Sequence, residues 1–240
     1  MKAVIVIPAR WASTRFPGKP LALIAGVTLI QRVYERAVQS VRAAAVYVAT
    51  DDDRIREHVT GFGGRAVQPA GDFSTGTDRI SAAVRQLGTA YDQVINVQGD
   101  EPLIDMGSVD AMIDVLQTGQ VDMATLSCPI ETEEEYASRD VVKVVTDLMG
   151  NALYFSRSPI PFGSREVSRR HIGLYGYQTP ALHAFAAMKT TALERAESLE
   201  QLRALQNGFK IRVLQTDKPH LGIDRPEDVP RVESELARLP

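Results

Sequence analysis

The stretch "AVIVI", residues 3 to 7, is a short apolar run in which no polar residue alternates with the apolar ones. Such a run is typical of a strand that is covered on both faces, as strands in mainly parallel sheets are. Three similar runs follow: "VYVAT" at 46 to 50, "QVINVQ" at 93 to 98 and "MATLSC" at 123 to 128. The sequence therefore predicts a mainly parallel sheet that starts near residue 3.

Segments with helical spacing separate these runs. Residues 28 to 41 carry apolar side chains four positions apart, at Leu29, Val33, Ala37 and Val41. Residues 108 to 117 have a similar pattern, with Ser108 as the predicted N-cap. The alternation of strands and helices indicates a doubly wound α/β fold, in which ligands bind beyond the carboxyl ends of the strands.

The pattern changes after about residue 130. The runs "VVKVVTD" and "ALYFS" predict strands, and alternation in "HIGLYGY", residues 171 to 177, places the three aromatic rings of His171, Tyr175 and Tyr177 on one face. One helix is predicted around residues 193 to 206. Because no repeat and no long linker is present, we expect a single domain over residues 1–240, with a sub-domain at approximately 130–215.

Composition excludes several classes of protein. A net charge of −3 gives no broad attraction to nucleic acid, and no run of about 18 apolar residues could span a membrane. The first apolar run is too short for the core of a signal peptide, so we expect a cytoplasmic protein. The single cysteine, Cys128, excludes an internal disulfide and a cysteine-rich zinc site, and it fits a buried structural thiol.

The loop "IPARWASTRFPGKP", residues 7 to 20, follows the first predicted strand and carries Arg10, Ser13, Arg15 and Lys19. It has neither the Walker spacing of glycines nor the three glycines of a dinucleotide fingerprint. Guanidinium, ammonium and hydroxyl groups beside exposed backbone amides are suited to a polyphosphate. The loop is interpreted as a phosphate site, with a solvated loop as the alternative.

Acidic residues follow two predicted strands. Asp100 and Glu101 come after "VINVQ", and Asp224 lies in "GIDRPED", which also follows a predicted strand. Carboxylates at this edge can hold Mg²⁺ near a phosphate. The alternative is that these acids cap the next helix, which for Asp224 alone is the better interpretation. Together with the cationic loop, they suggest a nucleoside triphosphate site with magnesium.

The segment "GDFSTGTDRI", residues 71 to 80, offers small hydroxyl groups, including those of Ser74 and Thr77, just before a predicted helix. Its position in the chain makes it a candidate wall for the nucleotide base. The alternative is an ordinary loop that ends in a helix N-cap.

Seven motifs occur in an order that resembles the 3-deoxy-manno-octulosonate cytidylyltransferases over essentially the whole chain: "IPARWASTRFPGKPLA", "GTDRI", "NVQGDEPLI", "LYFSRSPIP", "HIGLYGY", "LEQLRALQNG" and "GIDRPED". The resemblance implies a Rossmann-like nucleotidyltransferase fold of the glycosyltransferase-A type, with a smaller sugar-binding and dimerisation sub-domain. It also implies a Mg²⁺-dependent homodimer that transfers CMP from CTP to an eight-carbon sugar acid, 3-deoxy-manno-octulosonate (Kdo), for lipopolysaccharide biosynthesis.

The resemblance also implies roles for individual residues. The triphosphate would be held by Arg10, Ser13, Arg15 and Lys19, with Ser74 and Thr77 also in the nucleotide site, and Mg²⁺ by Asp100 and Asp224. Of these, Arg10, Lys19 and Asp100 would be catalytic. The sugar acid would be bound by Gln98, Arg157, His171, Tyr175, Glu200 and Gln201. An arginine suits this site because it can hold a carboxylate with two hydrogen bonds.

Two departures from the family pattern bear on the substrate. Only residues 164 to 170 separate "YFSRSPIPFG" from "HIGLYGY", which is shorter than in many relatives. The ending "DRPED" replaces the more usual "DTPED" and is similar to a branch that acts on 8-amino-Kdo. The alternatives are therefore 8-amino-Kdo, another sugar acid such as a sialic acid, or a non-catalytic nucleotide-binding relative.

Overall fold

The structure is a computed structural model that describes residues 1–12, 15–73, 75–218 and 221–238. The chain divides into two compact units, which we call unit 1 (Met1–Asp110 with Pro219–Pro240) and unit 2 (Ala111–Lys218). Within the described ranges, no helix combines the length and the apolar character that crossing a bilayer requires.

The strands are short, as is usual for globular proteins. They are β1 (Ala3–Pro8), β2 (Leu23–Ile24), β3 (Val27–Thr28), β4 (Ala43–Ala49), β5 (Ala66–Val67), β6 (Gln93–Asn96), β7 (Met123–Pro129), β8 (Lys143–Thr146), β9 (Ala152–Ser156), β10 (Arg169–Gln178) and β11 (Ile211–Gln215). The α-helices are α1 (Leu29–Ala37), α2 (Asp53–Gly61), α3 (Gly76–Gln86), α4 (Met106–Gln117), α5 (Glu133–Ala137), α6 (Thr179–Ala187), α7 (Ala192–Glu197), α8 (Gln201–Gln206) and α9 (Val229–Leu236). Short 3₁₀ turns cover Lys19–Leu21 and Pro226–Asp228.

Unit 1 is built on parallel strands in the order β6, β1, β4, β5. The first predicted strand is the centre of this sheet, and its residues from Val4 to Ile7 are fully buried. This burial explains why "AVIVI" has no polar alternation, because both faces of β1 are covered. The carboxyl ends of β1 and β6 lead directly into the cationic loop and the acidic segment that the sequence singled out.

Unit 2 has a mixed arrangement of strands. The strand β11 pairs with β7 in parallel, β7 pairs with β10 in antiparallel, and β10 pairs with β8, which forms a hairpin with β9. The α/β fold predicted from the sequence is confirmed, with its parallel strands concentrated in unit 1. The half-buried Cys128 lies near the end of β7, where burial raises the pKa of its thiol.

Three predicted helix boundaries are wrong. The helix predicted over 28 to 41 ends at Ala37, because the Ser40 hydroxyl accepts a hydrogen bond from the Ala43 backbone and organises a turn; Val41 is 83% exposed. The helix α4 begins at Met106 instead of after Ser108. The carboxylate of Asp105 accepts hydrogen bonds from both the backbone N–H and the hydroxyl of Ser108.

The helix predicted over 193 to 206 is two helices, α7 and α8. They are separated at Ser198, whose φ of 53° is left-handed and ends α7. The break still allows Leu199 and Leu202 to be buried, as the apolar spacing requires.

Lys143 is the most unusual buried residue of unit 2, since its exposure is 0%. Its ammonium group donates hydrogen bonds to the carbonyl oxygens of Ser138 at 2.7 Å, Val141 at 2.6 Å and Arg157 at 2.6 Å. Burial lowers the pKa of Lys143, while the three carbonyl groups use all three ammonium hydrogens. The side chain thus joins the segment before β8 to the residue that follows β9.

Candidate active site

Unit 1 contains a cavity of about 300 Å³ at the carboxyl ends of β1 and β6. Its walls come from the cationic loop, from the start of α3, from the segment after β6 and from Asp224. The approach of the two strand ends depends on Gly99, where a Cβ atom would lie 2.8 Å from the carbonyl oxygen of Pro8. Ligand sites at this edge are the rule for parallel α/β sheets.

Lys19 and Arg15 pair with two carboxylates at this cavity. The Lys19 Nζ atom lies 2.7 Å from Asp100 Oδ2 and 3.8 Å from Asp224 Oδ1, and it donates a hydrogen bond to the Ile223 carbonyl at 2.9 Å. Arg15 Nη1 lies 2.6 Å from Asp224 Oδ2. The pair of Lys19 and Asp100 is the more sheltered one, because the Lys19 side chain is only 15% exposed while Arg15 is 59% exposed. Exposed pairs contribute little to stability.

The helix-capping alternative for Asp224 is excluded by its neighbour Asp228. The carboxylate of Asp228 accepts hydrogen bonds from the backbone N–H groups of Asp224 and Arg225, so Asp228 organises this helix start and its pKa is lowered by those bonds. Asp224 follows β11 in the chain, as predicted, but it does not lie at the strand's end, because β11 ends at Gln215 and residues 221 to 224 are irregular. The side chain of Asp224 instead pairs with Arg15 and lies near Lys19.

Arg79 is a cavity residue that the sequence analysis did not select. It is only 6% exposed, its Nη2 donates to Asp51 at 2.9 Å, and its guanidinium lies 5.3 Å from the ring centre of Phe73. Its Nη1 has no hydrogen-bond partner among the described residues, although it is buried. An arginine beside Ile80 on the apolar face of a predicted helix was a signal that could have identified it.

The other predicted residues of the nucleotide site divide into three groups. Arg10 lines the cavity, and so do Gln98, which was predicted for the sugar site, and Thr75, whose hydroxyl caps α3 as the N-cap interpretation of that loop requires. Thr77 is buried within α3 and is not among the described cavity-lining residues. Ser13 and Ser74 lie outside the described residues.

Unit 2 contains a second cluster of predicted residues, built on a series of aromatic contacts along β10. His171 contacts Phe155 and Tyr175, with ring centres 4.9 and 5.5 Å apart, and Tyr175 contacts Tyr177 at 6.1 Å. The predicted shared face of these three β10 rings is confirmed. A bulge between Ile172 and Tyr175 interrupts the strand pairing without moving the rings to opposite faces.

His171 is held as a neutral ring. Burial lowers its pKa from 6.5 to about 3. Its Nε2 lies 3.0 Å from the Thr125 hydroxyl oxygen, which is also close to the carbonyl oxygens of Ile172 and Leu174. Because the hydroxyl can donate only its single hydrogen, and carbonyl groups only accept, Nε2 is assigned as the protonated nitrogen. The other nitrogen, Nδ1, is then the acceptor of the ring.

Arg157 is anchored by backbone carbonyl groups. Its Nε donates to the Glu197 carbonyl at 2.9 Å, its Nη1 to Arg139 at 3.0 Å and its Nη2 to Ser198 at 3.5 Å. The Glu197 carboxylate in turn accepts hydrogen bonds from the backbone N–H of Arg157 and from the Ser156 hydroxyl. These contacts use three of the five guanidinium N–H groups.

Glu200 and Gln201 lie at the start of α8. Glu200 accepts a hydrogen bond from Arg203 at 2.7 Å. Burial raises the pKa of Tyr175, with smaller contributions from Tyr177 and Glu200. Gln201 is 5% exposed, and its Nε2 has no hydrogen-bond partner among the described residues. Unit 2 thus links His171, Tyr175 and Glu200 of the predicted sugar site, while Arg157 is anchored to Glu197 and Ser198, shortly before Glu200 and Gln201 in the chain.

Comparison with known proteins defines the class first. A model of the cytidylyltransferase family matches residues 4–211. The chain therefore belongs to the cytidylyltransferase family and is a nucleotidyltransferase, as its sequence predicted.

The individual relatives are more specific. A 3-deoxy-manno-octulosonate cytidylyltransferase from Syntrophotalea carbinolica is 49% identical over 100% of both chains. An 8-amino-3,8-dideoxy-manno-octulosonate cytidylyltransferase from Shewanella sp. strain W3-18-1 is 45% identical over 99% of both. The solved structure of a CMP:2-keto-3-deoxy-manno-octonic acid synthetase complexed with CTP has a TM-score of 0.94 and 40% identity, with 99% of each chain covered.

Proposed function

We propose that this protein transfers CMP from CTP to the anomeric hydroxyl of Kdo. The hydroxyl oxygen forms a bond to the α-phosphorus and loses its proton, the bond between the α- and β-phosphates breaks, and pyrophosphate leaves. The observation that carries the proposal is the meeting of Lys19 and Arg15 with Asp100 and Asp224 at the cavity of unit 1. The product is an activated sugar acid for lipopolysaccharide biosynthesis in the cytoplasm.

The nucleotide is assigned to the cavity of unit 1. Arg10, Arg15 and Lys19 neutralise the triphosphate, which needs fixed positive charge where negative charge develops during transfer. The buried guanidinium of Arg79 supports a base at the other wall of the cavity. Its unpartnered Nη1 can donate only to an acceptor, and cytosine offers two acceptors on its pairing edge.

The metal is assigned to Asp100 and Asp224, whose oxygen atoms are the ligand type that Mg²⁺ prefers. Their placement fits a shared cation, because the single ammonium group of Lys19 already lies within 4 Å of both carboxylates. These two residues would hold the ion, and phosphate oxygens of the nucleotide and water would complete its ligands. When bound, Mg²⁺ supplies Lewis-acid stabilisation of the phosphate charge.

The sugar acid is assigned to the cluster in unit 2, and the sugar-binding role of Gln98 stays a prediction. Two guanidinium N–H groups of Arg157 remain for a carboxylate, while its other three are held by the backbone. His171 offers a neutral ring and Gln201 a buried amide donor, both suited to sugar hydroxyl groups. Tyr175 and Glu200 complete the predicted site.

A homodimer is part of the proposal. Of the ten large apolar side chains that are exposed among the described residues, five lie between residues 148 and 167: Leu148, Met149, Leu153, Phe162 and Val167. Exposed apolar residues concentrated in one segment are typical of an interaction surface. We assign this segment, within the predicted sub-domain at 130–215, to the contact with a second copy.

The second candidate substrate is 8-amino-Kdo, favoured by the "DRPED" ending and by relatives with that specificity at 45 to 46% identity. Purified protein is incubated with CTP and Mg²⁺ and with Kdo, 8-amino-Kdo or a sialic acid, and pyrophosphate release is measured. We expect release with Kdo; preferential release with 8-amino-Kdo identifies the second candidate. Release only with the sialic acid, or CTP binding with no release for any sugar, contradicts both.

A further inference from the structure

We propose that Trp11 is a positioning residue for the nucleotide, which acts by fixing the cationic loop rather than by touching the substrate. This inference rests on the proposed function, because it assigns the loop to CTP. Trp11 is not among the described residues that line the cavity, whereas Arg10 before it and Lys19 at the far end of the loop both are. Any effect of Trp11 on the nucleotide must therefore pass through its neighbours.

One face of the Trp11 indole is covered by Arg54 from α2. The guanidinium carbon lies 3.5 Å from the ring centre, which is the geometry of a close cation–π contact. Arg54 is itself held by Asp52, whose two oxygen atoms accept from its Nε at 2.9 Å and its Nη2 at 2.6 Å. The indole therefore packs against a cation whose own position is determined by two hydrogen bonds.

The ring also contacts Gly18. A Cβ atom added at Gly18 would lie 3.0 Å from the Cη2 atom of Trp11, so the indole packs directly on the glycine backbone. Gly18 also has a φ of 70°, a conformation that disfavours other residues. Both the ring and the backbone angle require glycine here, and the residue that follows is Lys19.

The two ends of the loop are joined at this point. The backbone N–H of Gly18 donates to the Trp11 carbonyl at 3.3 Å, and the indole reinforces this single long hydrogen bond. Arg10 and Lys19 extend from the two joined ends. Without the ring, the loop keeps Arg10 and Lys19 but loses the packing that holds its two ends together. Part of the binding free energy of the nucleotide would then be spent on ordering the loop.

The experiment uses CTP binding to the full chain, measured by calorimetry without sugar. Removing the ring in Trp11→Ala should weaken CTP binding about tenfold, the cost of ordering roughly one residue, and Trp11→Phe should recover most of the loss. Arg54→Gln should weaken it about threefold. Arg56→Gln is the matched control, since Arg56 pairs with Asp53 and Glu57 on the same helix.

A second readout separates loop positioning from general destabilisation. Trp11 is the only tryptophan in the chain, so intrinsic fluorescence reports on this ring alone. Arg54→Gln should shift the emission to longer wavelength, because it uncovers one face of the indole, whereas Arg56→Gln should not. In steady-state assays the KM for CTP should rise in Trp11→Ala while the KM for the sugar stays unchanged.

The outcomes are distinguishable. Absence of CTP binding by the unmodified protein contradicts the proposed function itself. Normal binding by the unmodified protein, Trp11→Ala and Arg54→Gln overturns the inference and leaves the function intact. Equal increases in the KM values of both substrates also overturn it, since they indicate a general loss of structure. If Trp11→Ala does not fold, Arg54→Gln still decides: weaker CTP binding with the emission shift supports the inference, and normal binding overturns it.

Discussion

The cavity of unit 1 and the cluster of unit 2 differ in the charge of their side chains. In unit 1 the cations and carboxylates are charged and paired with one another across the cavity, as in Lys19 with Asp100. In unit 2 the His171 ring is kept neutral by burial, and Arg157 is held by carbonyl groups. Cations that bind a triphosphate must be able to leave their carboxylate partners and pair with phosphate oxygens, whereas sugar hydroxyl groups can be bound by neutral donors and acceptors.

The largest expected effect is that of Asp100→Asn, which removes an anionic oxygen but keeps the shape of the side chain. We expect turnover to fall by about 100- to 1,000-fold, similar to the loss of one electrostatic partner at a transition state. Pyrophosphate release gives the rate and circular dichroism checks the fold. Asp110→Asn is the matched control, because Asp110 bonds to Ser40 away from the cavity. Turnover within a few fold of the parent would show that Asp100 is not a metal ligand.

Lys19→Met tests whether Lys19, which pairs with Asp100, binds the triphosphate of CTP. We expect the KM for CTP to rise by about 10- to 100-fold, the value of one or two charged hydrogen bonds, with a smaller effect on the sugar. The variant should also bind Mn²⁺ more tightly than the parent when no nucleotide is present, because Asp100 loses its competing cation. Electron paramagnetic resonance measures that affinity.

The control for this variant is Lys2→Met, since the side chain of Lys2 is exposed outside the cavity. Equal losses for CTP and sugar, or weaker metal binding by Lys19→Met, would contradict the assignment of Lys19 to the triphosphate.

The smallest effect concerns the neutral state of His171. An ordinary histidine is protonated below pH 6.5, but burial lowers the pKa of His171 to about 3 in the folded protein. Below pH 6.5 the unfolded chain therefore takes up a proton that the folded protein does not. The free energy of unfolding should fall by about 2 kcal/mol from this residue at pH 5, with no contribution above pH 7.

Denaturant unfolding at pH 7.5 and pH 5.0 measures this contribution. His171→Gln keeps a donor for Thr125 but cannot take up a proton, so this variant should lose about 2 kcal/mol less than the parent on acidification. An equal loss in both proteins would show that His171 is not held neutral by the fold.

Periodicity predicted the parts of the molecule that depend on local patterns. The buried run around Ile5 identified the central strand, and the position of Asp100 just after a strand placed it at the cavity edge. Contacts that join distant segments could not be predicted in this way. Asp224 meets Arg15 across 209 positions in the chain.

Some local features could not be predicted from the sequence for a different reason. The break at Ser198 depends on a single left-handed residue inside a pattern whose apolar spacing continues across it. The backbone N–H groups of Asp224 and Arg225 donate to the Asp228 carboxylate. The sequence does not tell which of the two nearby acids, Asp224 or Asp228, accepts these bonds. The position of Arg79 on the apolar face of α3 was visible in the pattern, but its partner Asp51, 28 positions earlier in the chain, was not.

Lys143 places a positive charge that belongs to the chain itself inside unit 2. Its ammonium group gathers three carbonyl oxygens, from Ser138, Val141 and Arg157, much as a small cation gathers oxygen ligands in other proteins. Unlike a bound metal ion, this ammonium group is covalently attached and cannot be removed by a chelator. The backbone of the predicted sugar-binding Arg157 is thereby tied to the chain before β8, so removal of the Mg²⁺ that we propose for unit 1 should stop turnover without loosening this residue.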